Sequence, residues 1–492
     1  MKKLLSLLLV LATLISVLVA CADTGTDENE DPSAQEEAEL PEKLDNIPDD
    51  LKFDGEDVVI LSRAFLGWTW DEVAVPELNS EPVNDAIFNR NVKVGDRLNI
   101  QIVSSPIEDA NQDKPINEIK RAVQAGSDEY DLLAGACYLV LQQSLEGIFL
   151  DMTELEYLDL SQSYWTQDYN EVISYNDSQY SATGMIALST YRFAFVTMFN
   201  KDQFDNKSVP YLYEAVANNT WTLDYQAQLA EDFYQDLNGN SKKDEEDFFG
   251  LITAPYISTD PYWASCDIPL VEKNAEGEYE YVLDSAKLSN VTDKILHLFY
   301  ESGTMVYPHT GLDAEQDDIR IAFANGNGAM CTTRLVAAEQ GDIRNMEEQY
   351  GIVPMPKYDE AQESYGTLQH DQFTVYAVPS TVKGEKFQLV GAVLEVMASE
   401  SMRTVKPAYY EIALKRKYMS DPTAWEMLDL IFDTIRIDAG IVYTNALGSP
   451  HDQLRQIITS KKNTVASKFK KLDKTVEKNL NKMIKKLDAL EE

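Results

Sequence analysis

YSATGMIALSTYRFAFVTMFNKD, residues 180–202, is the stretch from which the fold can be worked out. Before its last two residues it carries a single charge, Arg192, and no proline interrupts it. Most side chains from Thr190 to Phe199 are strand formers. A strand this apolar in a large chain is most simply buried on both faces. We predict that it carries the chain from one lobe to another; the alternative is an ordinary central strand within one domain.

The length and the charge of the chain limit its architecture and its partners. Its 492 residues are enough for two domains or more. The formal net charge is -41 at pH 7, whereas phosphate binding needs basic surface. We therefore expect no nucleic acid partner.

The N-terminus has the pattern of a secretory signal. Residues 1–3 include two lysines, residues 4–20 are mainly apolar, and Cys21 follows at once in the string LVAC. This string resembles the bacterial lipoprotein lipobox, which implies a lipid on the Cys21 thiol; the alternative is an ordinary signal with an incidental cysteine. We predict a signal peptide over 1–20 and a lipid-anchored, disordered acidic linker over 21–50, with a span of roughly 30 Å.

Motifs for catalysis or for zinc are missing from the sequence. It contains no GxSxG, no HExxH and no phosphate-binding glycine loop, and no carboxylate pair stands out by an apolar setting. Three widely spaced cysteines, Cys137, Cys266 and Cys331, do not form a disulfide pattern, so we expect buried apolar thiols. The sequence therefore predicts no enzyme.

Strand and helix signals alternate in the first part of the chain. Residues 57–61, 99–103 and 130–135 have strand character, and residues 84–98 and 116–126 between them have helical spacing. This alternation predicts an α/β fold with a parallel sheet. The later predicted strands are 328–333, 350–356 and 373–378, and the later predicted helices are 212–217, 223–236, 286–300, 313–325, 389–398 and 424–432.

The C-terminal segment has one apolar stripe. Its members recur every three or four residues, as on one face of a helix, and lysines fill the other faces. They are Val465, Phe469, Leu472, Val476, Leu480, Met483 and Leu487. We predict a terminal helix that lies on a lobe; a basic face for anionic lipid or a coiled-coil partner is the alternative.

DLNGNSKKDEED, residues 236–247, spaces its oxygens as a calcium loop does. Ser241 stands where that loop favours glycine, and the last position is Asp rather than Glu. The predicted ligands of a structural calcium ion are Asp236, Asn238, Asn240, the Lys242 carbonyl, Asp244 and Asp247. The alternative is a solvated acidic turn.

Aromatic and polar side chains near predicted strand ends are candidates for a ligand site. Flat aromatic faces suit sugar rings, and polar groups at strand ends often face a crevice. For each residue alone, core packing or a local ion pair is the alternative. The candidates are Trp68, Trp70, Tyr138, Tyr191, Trp263, Arg334, His370, Asp371 and Tyr410.

Several strings together resemble a known family. They are the LVAC lipobox, EPVNDAIFNRNVKVGDRLNIQI, EYDLLAGA, ALSTYRFAFVTMFNKD, GNGAM, YGIVPMPKYDEAQESY and HDQFTVYAVP. The chain resembles an extracellular solute-binding lipoprotein of a bacterial ABC transporter, family 1, carbohydrate-type, in the clostridial style.

The resemblance implies a type II periplasmic-binding-protein-like fold, with two α/β lobes joined by a hinge that the chain crosses three times. The crossings map near 181–187, 329–334 and 399–407. The first lobe would hold 51–182 and 331–402, and the second lobe 183–330 and 403–492.

The resemblance also implies a function without chemistry on the ligand. A lipid-anchored monomer at the extracellular face of the cell membrane would capture a carbohydrate or oligosaccharide by hinge closure and deliver it to ABC permease subunits. It would need no cofactor other than the structural calcium. The alternatives are a surface glycan hydrolase and an adhesion or sensory lipoprotein.

Overall fold

The structure is a computed structural model that describes residues 41, 43–64, 68–69, 71–108, 112–309, 311, 314–411, 414 and 421–491. The predicted signal peptide and Cys21 lie outside the described residues. Residues 43–492 form one compact unit, to which the following description applies.

The described strands are β1 Glu56–Arg63, β2 Ile100–Ile107, β3 Leu132–Ala136, β4 Phe195–Asn200, β5 Phe249–Thr253, β6 Val271–Lys273, β7 Tyr279–Tyr281, β8 Thr304–Val306, β9 Gly328–Arg334, β10 Tyr350–Pro354, β11 Thr367–Leu368, β12 Thr374–Ala377 and β13 Ile435–Arg436. The described helices are α1 Pro82–Leu98, α2 Asp113–Gln124, α3 Cys137–Ser144, α4 Gln167–Ile173, α5 Ser189–Arg192, α6 Lys201–Lys207, α7 Leu212–Ala217, α8 Leu223–Phe233, α9 Pro261–Ser265, α10 Ser285–Leu296, α11 Ala314–Ala324, α12 Gly341–Arg344, α13 Glu385–Glu400, α14 Pro422–Asp433, α15 Ala439–Val442, α16 Thr444–Leu447, α17 Asp452–Thr459 and α18 Val465–Asp488. Short 3-10 or π turns occur at Met152–Glu154, Ile257–Thr259, His297–Glu301, Leu335–Glu339 and Ser401–Val405.

The first sheet has the strand order β12-β3-β1-β2. Strand β1 runs parallel to β2 and β3, as the alternating pattern predicts, and β12 runs antiparallel to β3. Helix α2 covers β1 and β3, and α1 packs on α13. Every residue of β3 is buried, which explains its unbroken apolar sequence.

The second sheet has the order β10-β4-β9-β5-β8 and contains the stretch that opened the sequence analysis. Strand β4 is buried along its whole length, as predicted, and runs antiparallel to β9 and β10. The strand begins only at Phe195, because residues 189–192 form helix α5 instead. The Glu72 carboxylate accepts the Ser189 N–H at the start of this turn, a contact that local propensity does not reveal.

Strand pairing defines the first passage of the chain from one sheet to the other, between Ala182 and Phe195. Ala182 bridges Tyr376 of the first sheet, and Phe195 pairs with Arg334 of the second. The predicted return to the first lobe near 329–334 is wrong: β9 and β10 both stay in the second sheet, and the chain rejoins the first sheet at β12. Strand β10 pairs antiparallel with β4, and such a distant partner cannot be read from local sequence. The exact lobe boundaries stay predictions.

The segment Lys43–Asp50 is ordered, which corrects the predicted end of the linker. Asp45 is 4% exposed, and its carboxylate accepts hydrogen bonds from Arg97 at 2.7 Å and from Ser399 at 2.6 Å. Ile47 is buried beside it. The acidic composition of this segment does not reveal the contact, because Arg97, the partner of Asp45 on α1, is 52 positions away in the sequence.

Two other predictions are confirmed. Helix α18 lies against α10, α16 and β7, and six members of its apolar stripe are buried while Leu472 is half-buried. Cys137, Cys266 and Cys331 are buried free thiols. Among the described residues, no helix has the length and apolar character needed to cross a membrane.

Candidate functional site

The two sheets bring the ends of their strands to a common region. Arg63 ends β1, Tyr138 follows β3, and Arg334 ends β9. His370 lies between β11 and β12, and its N–H donates to the Phe193 carbonyl before β4. In α/β proteins such strand ends form the crevice that binds ligands.

Arg334 and His370 form the centre of this region. Arg334 Nη1 donates to His370 Nδ1 at 3.3 Å, and the guanidinium carbon lies 4.0 Å from the centre of the Trp68 ring. Burial and the positive charge of Arg334 lower the pKa of His370 well below its usual value. The imidazole is therefore neutral and can accept this hydrogen bond.

Two buried carboxylates lie next to His370. Its Nε2 is 3.6 Å from Asp371 Oδ1 and 4.0 Å from Asp260 Oδ2. Burial raises the pKa of Asp371 to about 7, so this group changes charge near neutral pH. Arg455 forms a forked pair with Asp260 and donates to Asp452 at 2.6 Å. The site thus holds donors and acceptors in a dry setting, where hydrogen bonds to a polar ligand are strong.

These groups surround an inner cavity that, in this conformation, is too narrow to hold a water molecule. Trp263 lies on its wall at 2% exposure, and among the described residues its indole N–H has no hydrogen-bond partner. A buried donor of this kind is satisfied by a ligand or by water. The lining residues are Asp260, Trp263, Leu368, His370, Asp371, Ile441, His451 and Arg455.

A groove of about 320 Å³ adjoins the inner cavity. Both share Trp263, Leu368 and Ile441 as lining residues, so Trp263 stands between them. One wall of the groove is α4 and the other is the β6–β7 hairpin with α15. The volume of the groove lies at the lower end of the usual range for ligand pockets, whereas the inner cavity is below that range.

Six predicted ligand residues meet here and two do not. Trp263, His370 and Asp371 line the cavity, Arg334 and Trp68 stack beside it, and the Tyr138 N–H donates to the Asp371 carbonyl. Tyr191 and Tyr410 instead pack on Phe432, with ring centres 4.7 Å and 5.5 Å away, so their prediction as cavity residues is not supported by the geometry. Trp70 lies outside the described residues.

Beside the cavity, Arg192 joins three parts of the chain. Its guanidinium donates to Asp71 after β1 at 2.7 Å and 3.0 Å, and to Glu339 after β9 at 3.0 Å. The Tyr409 hydroxyl also donates to Glu339, at 2.9 Å. We call Arg192, Asp71 and Glu339 the hinge clasp, because they connect both sheets through a crossing segment.

Sequence reasoning missed several of these residues. Arg63 could have been predicted as a site residue, because a charged residue at the end of an apolar strand is a local signal. The pairing of Asp260 with Arg455 has no local sequence signal, since 195 positions separate the two residues in the chain.

In the predicted calcium loop, two of the carboxylates accept hydrogen bonds from backbone N–H groups. Asp236 accepts the Gly239 and Ser241 N–H groups, and Asp247 accepts the Leu237 and Asp244 N–H groups. Ser241 has φ +59°, the left-handed conformation that favours glycine there. In the described ranges no three His, Cys, Asp or Glu side chains are grouped to hold a metal. Calcium at this loop stays a prediction, which calorimetry with added Ca²⁺ can check.

Solved structures of other proteins share this architecture. An ABC transporter solute-binding protein from Thermotoga lettingae, bound with alpha-D-tagatose, matches with a TM-score of 0.56 and 13% identity over 87% of this chain and 100% of its own. The GacH receptor of Streptomyces glaucescens, solved unliganded and with acarbose, has a TM-score of 0.54 and 14% identity over 88% of this chain and 99% of its own. An ABC substrate-binding protein from Listeria monocytogenes in complex with cycloalternan has a TM-score of 0.52 and 12% identity over 88% of this chain and 100% of its own.

No family model matches the sequence, and no curated protein matches it either. The similarity therefore rests on structure, and at these identities it defines the fold. The chain has the type II periplasmic-binding-protein fold, with two mixed α/β lobes.

Proposed function

We propose that this protein captures a carbohydrate between its two lobes and delivers it to an ABC importer. The observation that carries the proposal is the cluster of buried polar groups on the strand-end side of both sheets, next to a groove. Trp263 lies between the two, and its indole N–H has no hydrogen-bond partner within the described ranges. Sugars need both an apolar ring face and many hydrogen bonds. Three proteins of the same fold are described with a sugar or sugar-like ligand.

The continuity of cavity and groove favours an oligosaccharide. The first unit would bind at Trp263, where the groove meets the inner cavity, and the next units would extend along the groove. In this conformation the inner cavity is too narrow for a sugar ring, so the groove would hold the ligand.

Calorimetry with mono- and oligosaccharides, run after a thermal-shift screen, tests the proposal. A sugar that raises the melting temperature should bind, and Trp263→Phe should weaken it about tenfold, the loss of one hydrogen bond. Trp221→Phe is the matched control, because that buried indole donates to the Pro354 carbonyl instead. It should lower stability and leave affinity unchanged.

The same experiment separates the proposal from a hydrolase. If the bound sugar is cleaved, and Asp260→Asn or Asp371→Asn abolishes cleavage, the protein is an enzyme and the proposal fails. If no sugar binds, the carbohydrate assignment fails.

Anchoring at the extracellular face of the membrane, through a lipid on Cys21, belongs to the same proposal. Its support is the basic, apolar and LVAC pattern of residues 1–21. Cys21→Ser should release the protein from the membrane fraction into the medium. A variant that remains in the membrane fraction would contradict the lipid anchor.

A further inference from the structure

Helix α18 carries a row of lysines in a strongly acidic protein. It holds eight lysines and three acidic residues, a net charge of +5, in a chain whose net charge is -41. Five lysines recur at intervals of three or four residues and therefore share one face of the helix. This lysine row consists of Lys471, Lys474, Lys478, Lys482 and Lys485.

The lysine row faces away from the body of the protein. Its position on the helix is opposite the buried stripe that includes Val476 and Met483. All five side chains belong to exposed residues, and within the described part of the chain none of them forms an ion pair. At 1.5 Å of rise per residue the row is about 21 Å long.

Two of the three acidic residues of α18 are bound to the body of the protein. Asp473 accepts a hydrogen bond from Tyr281 at 2.9 Å, and Asp488 accepts one from Tyr175 at 2.8 Å. The third, Glu477, is exposed beside the row. The five lysines outnumber it, so the solvent face between Lys471 and Lys485 keeps an excess of positive charge.

We propose that the lysine row is a docking surface for an anionic lipid membrane. The apolar side of α18 is already used in packing, so the helix touches the membrane at headgroup level and does not insert. Basic clusters attract anionic lipids in this way, over a distance of about one Debye length. The acidic body beyond that distance is screened, and the row determines which face of the protein turns toward the membrane.

A membrane fits this surface better than a protein partner does. The row holds lysines without arginine or an aromatic residue. Protein interfaces are enriched in arginine and aromatic residues and depleted in lysine. Flexible ammonium groups on a convex helix suit a flat, fluid layer of phosphate charges. The charge argument is independent of sugar binding and of the proposed lipid on Cys21.

Vesicle co-sedimentation of the unlipidated full-length chain tests the proposal. Phosphatidylcholine vesicles with and without phosphatidylglycerol are compared, so that binding through the apolar residues 4–20 is common to both. The anionic vesicles should bind about tenfold more protein at low salt, and the excess should disappear at high salt. Changing the five lysines of the row to Gln should remove the excess.

A matched control changes five exposed lysines outside α18 to Gln: Lys52, Lys114, Lys207, Lys383 and Lys462. It has the same net charge and should keep the preference for anionic vesicles. Equal losses in both variants would reduce the effect to net charge and overturn the proposal. The proposal would also be overturned if the wild-type chain bound anionic and neutral vesicles equally. This result does not depend on the folding of any variant. A third outcome would also overturn the proposal. If the wild-type chain forms a dimer in sedimentation, binds no vesicles, and loses the dimer only in the variant of the lysine row, the row is an interface with a second copy of the chain.

Discussion

Burial decides the charge of the side chains at the centre of the site. His370 and Asp371 are neighbours in sequence and have opposite pKa shifts with one cause, because a dry setting disfavours the charged form of each. His370 is thus neutral, and Asp371 changes charge at about pH 7. The neutral imidazole and the charged groups around it together form a hydrogen-bonding surface, which is suited to a polar solute.

The raised pKa of Asp371 predicts how stability depends on pH. The folded pKa of about 7 is above the ordinary value of 3.8, so between these values the folded state holds a proton that the unfolded chain releases. The free energy of unfolding therefore falls as pH rises from 4 to 7, by up to about 1.4 kcal/mol per pH unit from this group. Asp371→Asn should lack this contribution.

Urea denaturation of both proteins across this pH range checks the prediction. The stability of Asp371→Asn relative to wild type should increase with pH up to about 7 and then stay constant. A difference that is the same at pH 4 and pH 7 would contradict the raised pKa.

The hinge clasp predicts a large effect of one substitution. Arg192 is 5% exposed, and its removal leaves the buried carboxylate of Asp71 and the partly buried carboxylate of Glu339 without this cation. Arg192→Met should lower the free energy of unfolding by about 3–5 kcal/mol. The triple variant with Asp71→Asn and Glu339→Gln should recover much of this loss. A single variant as stable as wild type would show that the clasp contributes little.

At the scale of elements, close contacts between helices and strands position the site. Strand β5 leads to Asp260 and α9, and it lies directly against α8. Gly250 in β5 permits this approach, because a Cβ there would lie 2.1 Å from the Ala230 carbonyl oxygen. Glycine is needed at this position because any larger side chain would collide with the backbone of Ala230.

Gly250→Ala should therefore destabilise the protein by about 3 kcal/mol, the upper end for overpacking, since the obstacle is backbone. Gly341→Ala is the control, because the nearest atom to its Cβ is Asn345 Nδ2 at 4.0 Å. It should change stability by less than about 1 kcal/mol. Thermal unfolding of the two variants measures both effects, and equal melting temperatures would disprove the steric argument.

For the whole molecule, the proposed function predicts that the lobes close on the solute. His370 and Asp371 come from the crossing before β12, whereas Asp260 and Arg455 come from elements beside the second sheet. A solute that contacts both the crossing and a lobe would favour the conformation that brings them together.

A sugar that binds in calorimetry should therefore reduce the radius of gyration of a population that is open without ligand. Small-angle X-ray scattering with and without the sugar makes this measurement. A sugar that does not bind is the control and should leave the scattering unchanged. Binding without any change in a population already shown to be open would contradict hinge closure.

The amino-acid sequence by itself determined the elements with a strong local period. The parallel order of β1, β2 and β3 and the terminal helix α18 follow from the apolar spacing, and Trp263, Arg334, His370 and Asp371 were found near strand ends. These features depend on neighbours a few residues away, which a local pattern records.

Only the tertiary structure decided which distant segments meet. The Asp260–Arg455 pair, the place of β10 in the second sheet, the helical turn of α5 and the packing of Tyr191 on Phe432 all depend on partners far along the chain. A charge or a ring has the same local pattern in a cavity, a hinge or a core. Its role is set by the groups that burial brings against it, and those belong to the fold as a whole.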